Sequence, residues 1–421
     1  MIYYMKKPIL LVVLLLILAG LGWVGVFYYK NLRGVAPALF PPTDDITKTD
    51  NQTNSPASTT ASVKPKPAVP GLRMPDGFSV SIFAKNLPGA RVMVTDKDGN
   101  IWLSQISAGK ISKLTVKDGN LIKQETILSG LKNPHGLAFD PDDSNVLYVA
   151  EETKISKINI DPTTGELARR SLSVVRDLPG GGNHYSRTIG FGPDGRLYVS
   201  IGSSCNVCHE SDEHRASIWS LKKDGSDFRE VAGGLRNSVF FVWNKNDGKM
   251  WATEMGRDLL GDDTPPDEVN IIDTNAKNIL NFGCPNCYGH NIHDYAFDKN
   301  TYIRNPCMEP FELPSHIDIP ARSAPLGLAF VSSAYWPADY KNDLMVAYHG
   351  SWNRTVPTGY KVVRYDLDDA GNVLNVIDFI FGWINGKQAT GRPVDIIFAP
   401  NGSMYISDDK AGVVYVVEYL R

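Results

Sequence analysis

The sequence predicts an all-β fold: a six-bladed β-propeller of four-stranded antiparallel blades, preceded by one N-terminal transmembrane helix and a disordered linker. Three observations carry this reading. One phrase recurs, in which an apolar strand, a short turn often containing Asp-Gly, and a second apolar strand follow one another. It occurs as ARVMVTDKDGNIWLSQ from Ala90, PHGLAFDPDDSNVLYVAE from Pro134, SRTIGFGPDGRLYVSIG from Ser186, RNSVFFVWNKNDGKMWATEMG from Arg236, LGLAFVSSAYWPADYKNDLMVAYHG from Leu326 and RPVDIIFAPNGSMYISDD from Arg392. Six copies, mostly about fifty residues apart, are the signature of a radial repeat. No long amphipathic helix is evident after Gly71, and ahead of it a long apolar run gives way to a polar tract.

Each element has a local cause. In the third copy Pro193 fixes φ and Gly195 supplies a positive φ, so the pair reverses the chain tightly. The flanking runs, Thr188 to Phe191 and Leu197 to Ile201, are rich in the β-branched and aromatic residues that strands favour. Third strands follow directly as GKISKLTV, TKISKINI, YKVVRYDL and GVVYVVEYL. The stretch GFSVSIFA from Gly77 precedes the first copy. It is expected to supply the outer strand of the last blade, since an open ring would leave unpaired edges.

The chain has 421 residues, 43% of them hydrophobic, enough for one large core with additions. A net charge of −3 gives no basic field for nucleic acid. Pro8 to Tyr29 runs almost without a polar side chain, behind Lys6 and Lys7. That length suits a bilayer span better than a signal-peptide core, and the N-terminus is expected inside. A cleaved signal is the alternative; either way the body is exported. The expected division is 1–30 for a cytoplasmic stub and anchor, 31–70 for a disordered Pro-, Ser- and Thr-rich tether, and 71–421 for the propeller.

Cys205-Asn206-Val207-Cys208-His209 matches the haem c attachment pattern, but it leaves a strand inside a propeller repeat, without the helical pocket a haem needs. A second CxxC at Cys284 and Cys287 makes a four-thiolate zinc site conceivable. Disulfides suit an oxidising compartment, and the pairing expected is Cys205 with Cys208 and Cys287 with Cys307, leaving Cys284 odd. The Cys-, His- and Tyr-rich stretch from Asn281 to Pro325 reads as an insertion between the fourth and fifth repeats that caps a cavity.

The phrases PHGLAF, GGGNHYSRTIGFGPDG, IGSSCNVC, GLRN, GRDLLGDDTPPDEVN, APLG, HGSWNR and GRPVD together resemble the glucose/sorbosone dehydrogenase family, closest to its sorbosone-dehydrogenase-like branch. These are soluble sugar dehydrogenases that use pyrroloquinoline quinone (PQQ). The resemblance runs from about Leu72 to the C-terminus. It implies oxidation of an aldose or related sugar to a lactone or acid, with electrons passing on to a quinone or cytochrome acceptor.

It also implies roles for residues. His184 follows a run of three glycines and matches the family's catalytic histidine, a base for the sugar hydroxyl. The cofactor carries three carboxylates and calls for cations. Arg187, Arg236, Asn237, Arg354 and Arg392 are the expected contacts, with Trp352 as a stacking wall. A second family arginine is replaced by Val394. The backbone carbonyls of Gly256 and Arg257 are expected to hold a Ca²⁺ ion, with the nearby acids orienting their loop. Two other classes remain open: a calcium-dependent lactonase, which would need a ring of Asp, Asn and Glu around a central ion, and a non-catalytic propeller that binds a glycan or protein.

Overall fold

The computed structural model of the chain describes residues 17–23, 68–168, 172–308, 310 and 312–420. Six β-sheets form the six blades. Blade 1 comprises Ala90–Thr95, Ile101–Gln105, Lys110–Lys117 and Asn120–Ser129, from inner to outer strand. Blade 2 comprises Leu137–Phe139, Val146–Glu151, Lys154–Asn159 and Ser173–Asp177, and blade 3 Ile189–Phe191, Leu197–Ile201, Ser217–Leu221 and Arg229–Gly233. Blade 4 comprises Phe241–Trp243, Met250–Glu254, Asp267–Ile272 and Ile317–Ile319. Blade 5 comprises Pro325–Phe330, Leu344–Tyr348, Lys361–Leu367 and Val373–Phe381.

Blade 6 takes its three inner strands, Pro393–Phe398, Met404–Asp408 and Val413–Tyr419, from the C-terminus and its outer strand, Phe78–Ala84, from the N-terminal side. Val80 pairs with Val417 and Phe78 with Tyr419. The stretch from Gly77 therefore closes the ring as expected, joining the two ends of the domain and removing an edge. Residues just ahead of Gly71 already join this blade, since Ala68 bridges Ser81.

The turns follow the sequence chemistry. In blade 1 the Asp96 carboxylate accepts the N–H groups of Asp98 and Asn100, at 3.0 and 2.9 Å, while Gly99 takes φ +80°. The second strand of most blades is buried at every residue, as in Ile101–Gln105 and Leu197–Ile201. Such a strand is covered on both faces by the neighbouring blades, so it reads as a mainly apolar run without polar alternation. Side chains also stitch one blade to the next. The Thr253 hydroxyl donates to Leu326 O at 2.8 Å, and Met93 N–H donates to the Asp395 carboxylate at 2.7 Å. Gly327 is required where blades 5 and 6 touch: a Cβ there would lie 2.6 Å from both Val394 O and Asp395 Cα.

Paired residues such as Pro325 with Tyr348 and Pro393 with Asp408 put the start of each inner strand beside the end of the second strand. The segments entering the blades and the loops after the second strands thus share one face. Three of those loops are long: 202–216, 255–266 and 349–360. The insertion between the fourth and fifth copies of the phrase falls largely inside blade 4, between its third and outer strands. It climbs the outer edge of blade 3, where Leu280 pairs with Ala232, and reaches the same face. There Arg257 forms an ion pair with Asp294 at 2.8 Å.

Residues 17–23 are helical, with Ile17, Leu18, Leu21 and Trp23 exposed. No helix among the described residues is long and apolar enough to cross a membrane. The rest of the expected span, Pro8–Tyr29, and the tether to residue 67 lie outside the described residues.

Candidate active site

Every inner strand is entered through a basic residue. In blade order these are Arg91, His135, Arg187, Arg236, Arg322 and Arg392. Five guanidiniums and one imidazole therefore lie on one face of the propeller, with Arg91, His135 and Arg187 in matching register and the other three further ahead of their strands. All are buried except Arg392, which is partly exposed.

His184 lies in the loop leading into blade 3. Its Nδ1 is 2.9 Å from both Ser203 O and Ser203 Oγ. The Ser203 hydroxyl donates its proton to Cys205 O at 2.8 Å. Both partners of Nδ1 are therefore acceptors, so Nδ1 carries the hydrogen and Nε2 keeps its lone pair. Burial, reinforced by the Arg236 charge, lowers the pKa of His184 to about 3, against the opposing Ser203 hydrogen bond. The ring is neutral at physiological pH, a requirement for a proton acceptor. Gly202 lets the pieces meet: a Cβ there would lie 2.6 Å from both His184 Cβ and Asn237 Oδ1.

The arginines divide into two groups. Arg187 is fully buried and donates to Pro179 O, His184 O and Ser186 O at 2.8–2.9 Å. It holds the His184 loop from behind. Arg236 spends all five N–H groups: on Asn206 O (2.7 Å), Asn206 Oδ1 (2.9 Å), Asp258 Oδ2 (3.0 Å), Met255 O (3.1 Å) and Gly256 O (3.0 Å). It too braces the surrounding loops. Arg354 is committed to Asp262 O, Ala321 O and the Asp263 carboxylate, so it ties two loops together and does not offer a free cation. Asn237 anchors by its N–H on Glu254 at 2.7 Å and by its amide on Met255 Sδ at 3.5 Å.

Arg392 differs. Its Nε donates to His349 O at 3.0 Å and its Nη2 to Gly350 O, leaving Nη1 without a partner among the described residues. Beside it Lys410 forms no ion pair with any described residue, and burial together with the Arg392 charge lowers its pKa. Val394, by contrast, is wholly buried in the core. Trp352 is 41% exposed, its indole N–H held by Asp258 Oδ1 at 3.2 Å.

Sequence reasoning missed the network opposite His184. Asp409 accepts from Arg91 at 3.0 Å and from His349 Nε2 at 2.8 Å. Burial opposes its charge, yet His349, Arg91 and Arg392 together hold its pKa low. Burial and Arg392 bring His349 to about 4. His135 is kept neutral by burial and by Arg91. Part of the signal was present, because five of the six copies carry Arg or His as their first or second residue.

The carbonyls expected to hold calcium carry other partners. Gly256 O accepts from Arg236, and Arg257 O accepts from Arg322. Asp267 orients this loop, its carboxylate accepting Gly256 N–H at 2.9 Å and Ala324 N–H at 2.8 Å. A divalent ion on these carbonyls would face two fixed guanidiniums. At an effective dielectric of about 20 and a separation of about 4 Å, each costs roughly 8 kcal/mol of repulsion with a divalent charge. The donor set does not suit Ca²⁺. The cationic ring, with Arg392 Nη1 and Lys410 uncommitted, does suit a flat polycarboxylate. The cysteines pair as expected, Cys205 with Cys208 and Cys287 with Cys307, with Cys284 free. That pairing removes the thiols a haem or a zinc ion would use.

Comparison with known proteins follows the same line. A family model described as TrAA12-like matches residues 72–420. An uncharacterized protein of Borreliella burgdorferi is 33% identical over 364 residues, covering 83% of this chain and 91% of that one. A pyrroloquinoline quinone-dependent pyranose dehydrogenase of Coprinopsis cinerea is 23% identical over 410 residues, and the match covers 82% of this chain but only 54% of that one. The holo PQQ domain of the Coprinopsis cinerea pyranose dehydrogenase superposes with a TM-score of 0.71 at 19% identity, covering 84% of this chain and 99% of that one.

Proposed function

The chain belongs to the TrAA12-like family, and from that premise and the geometry of the site we propose that it is a PQQ-dependent sugar dehydrogenase. It oxidises an aldose or a sorbosone-like sugar to a lactone or acid. The observation that carries this reading is a neutral His184 whose Nε2 lone pair is fixed by Ser203, set in a ring of guanidiniums.

When bound, PQQ supplies the two-electron acceptor for the C1 hydride. The chain supplies the rest. Arg392 Nη1 and Lys410 hold carboxylates, and Lys410 provides the cation that Val394 cannot. Trp352 offers its exposed face to a flat ring or a sugar face. His184 Nε2 takes the hydroxyl proton. Arg187 and Arg215 keep its loop in place, the latter donating to Gly180 O and Gly181 O at 2.7 and 2.9 Å. No step is assigned to calcium, because two fixed guanidiniums already occupy its expected carbonyls.

The same charge argument weighs against a calcium lactonase, since the blade-entry positions are basic and not acidic. A non-catalytic binder would not need a histidine held in one tautomer. The run Pro8–Tyr29 and the two disulfides support a propeller held outside the cytoplasm by an N-terminal anchor, with a quinone or cytochrome receiving the electrons. The test is to load the full chain with PQQ and add a panel of aldoses while recording absorbance. Reduction of bound quinone by a sugar supports the proposal; absence of quinone binding refutes it.

A further inference from the structure

The four-residue loop closed by Cys205 and Cys208 touches both halves of the site. Through its first residue, Cys205 O takes the Ser203 hydroxyl proton at 2.8 Å, and Ser203 Oγ in turn accepts from His184 Nδ1 at 2.9 Å. The second residue, Asn206, carries more. Its carbonyl and Oδ1 accept from Arg236 at 2.7 and 2.9 Å. Its Oδ1 also accepts Asp258 N–H at 2.8 Å, and its Nδ2 donates to Asp258 O at 3.0 Å. Asp258 in turn holds Trp352 Nε1 at 3.2 Å and Asn353 Nδ2 at 3.1 Å. One short loop of blade 3 thus connects the base, the Arg236 brace, the blade 4 loop and the blade 5 loop.

A loop of this kind is normally the softest part of a propeller face. Here the disulfide removes that freedom, because a closed ring of four residues leaves Asn206 few conformations. The bond is placed to persist. Glu210 Oε1 lies 3.8 and 3.7 Å from the two sulfurs, where its charge opposes formation of a thiolate. Glu210 also fixes the start of the loop by accepting Ser204 N–H at 2.8 Å.

We propose that the Cys205–Cys208 loop is the positioning unit of the site, with Asn206 as the residue that sets the Arg236–Asp258–Trp352 wall and the Cys205 carbonyl as the group that sets the Ser203–His184 pair. The part concerning cofactor affinity rests on the PQQ reading above; the part concerning His184 does not. Neither sulfur reacts with substrate. A dithiol reductant would open the bond, giving two thiols and its own disulfide, and would detune both halves together.

The test compares the full-length protein with Asn206→Ala and with Cys205→Ser/Cys208→Ser, each first checked for a native circular dichroism spectrum. PQQ affinity is read by tryptophan quenching, and the His184 ring nitrogens by NMR of cofactor-free protein labelled with ¹⁵N-histidine, assigned against His184→Asn. Asn206→Ala should bind PQQ at least tenfold more weakly while its His184 resonances stay near the Nδ1–H form. The double serine variant should lose the same affinity and also move the His184 resonances away from that form. Dithiothreitol should reproduce the double variant, and reoxidation should reverse it. Unchanged His184 resonances in the double variant overturn the inference. If the wild type itself takes up no PQQ, the functional proposal fails, while the histidine comparison still decides the role of the loop.

Discussion

Replacing His184 with Asn should cost roughly 10²- to 10⁴-fold in turnover, about 2.7–5.4 kcal/mol of barrier, with PQQ affinity within threefold of wild type. Asparagine is chosen because its amide N–H₂ can take the place of Nδ1 and donate to Ser203 O and Oγ, so that only the Nε2 lone pair is lost. The unchanged affinity follows from the charge state. With a pKa of about 3, His184 is neutral and contributes no net charge toward an anionic cofactor. A protonated ring about 6 Å from one carboxylate would contribute roughly 3 kcal/mol at an effective dielectric of about 20, or about a hundredfold in affinity. The assay is reduction of an artificial acceptor dye at saturating sugar, with affinity read by tryptophan quenching. The pH profile supplies a second reading. Burial and Arg236 depress the pKa in the free protein, so the base stays unprotonated down to pH values far below 6.5, and the acid limb of kcat/KM should lie well below that value. Negative charge from the bound cofactor opposes Arg236 and should move the acid limb of kcat upward. Turnover of His184→Asn within tenfold of wild type would refute His184 as the base, and a hundredfold loss of affinity would refute its neutrality.

Other outcomes follow from the same geometry. Prolonged chelation by EDTA should leave PQQ affinity unchanged, because Gly256 O and Arg257 O are held by Arg236 and Arg322; a tenfold loss restored by Ca²⁺ would show that a cation displaces them. Arg392→Gln should weaken PQQ binding by about 13- to 160-fold, the worth of one charge-assisted hydrogen bond of about 1.5–3 kcal/mol, measured by titration. Gly327→Ala should destabilise the propeller by about 1–3 kcal/mol in urea unfolding, since the new methyl meets blade 6 backbone at 2.6 Å; an unchanged midpoint would show that the two inner strands separate freely.

The fold was legible because a propeller writes its repeat into local chemistry. The Asp-Gly turns and paired apolar runs that predict six hairpins are the turns and buried strands observed, and the spare strand at Gly77 had only one edge to fill. The site was legible in part. His184 stood out because a histidine after three glycines has no packing role. The arginines were harder. Arg187, Arg236 and Arg354 lie where family resemblance put cofactor contacts, yet each is spent on backbone carbonyls or on acids of an adjacent loop. Whether a guanidinium faces a ligand or a carbonyl depends on how a distant loop folds over it, which spacing along the chain does not encode. Arg91 and Asp409 are illegible for the complementary reason: each sits within or beside an apolar strand run, and they meet only because the ring closes blade 6 against blade 1.

The most direct test of the account is an anaerobic single turnover of the PQQ-loaded full chain with an aldose deuterated at C1, following the loss of quinone absorbance. A sugar that reduces the bound quinone, more slowly when C1 carries deuterium and roughly 10²- to 10⁴-fold more slowly with His184→Asn, is the predicted result. Rapid reduction with no isotope effect and no dependence on His184 would contradict proton abstraction by this residue coupled to hydride transfer from C1.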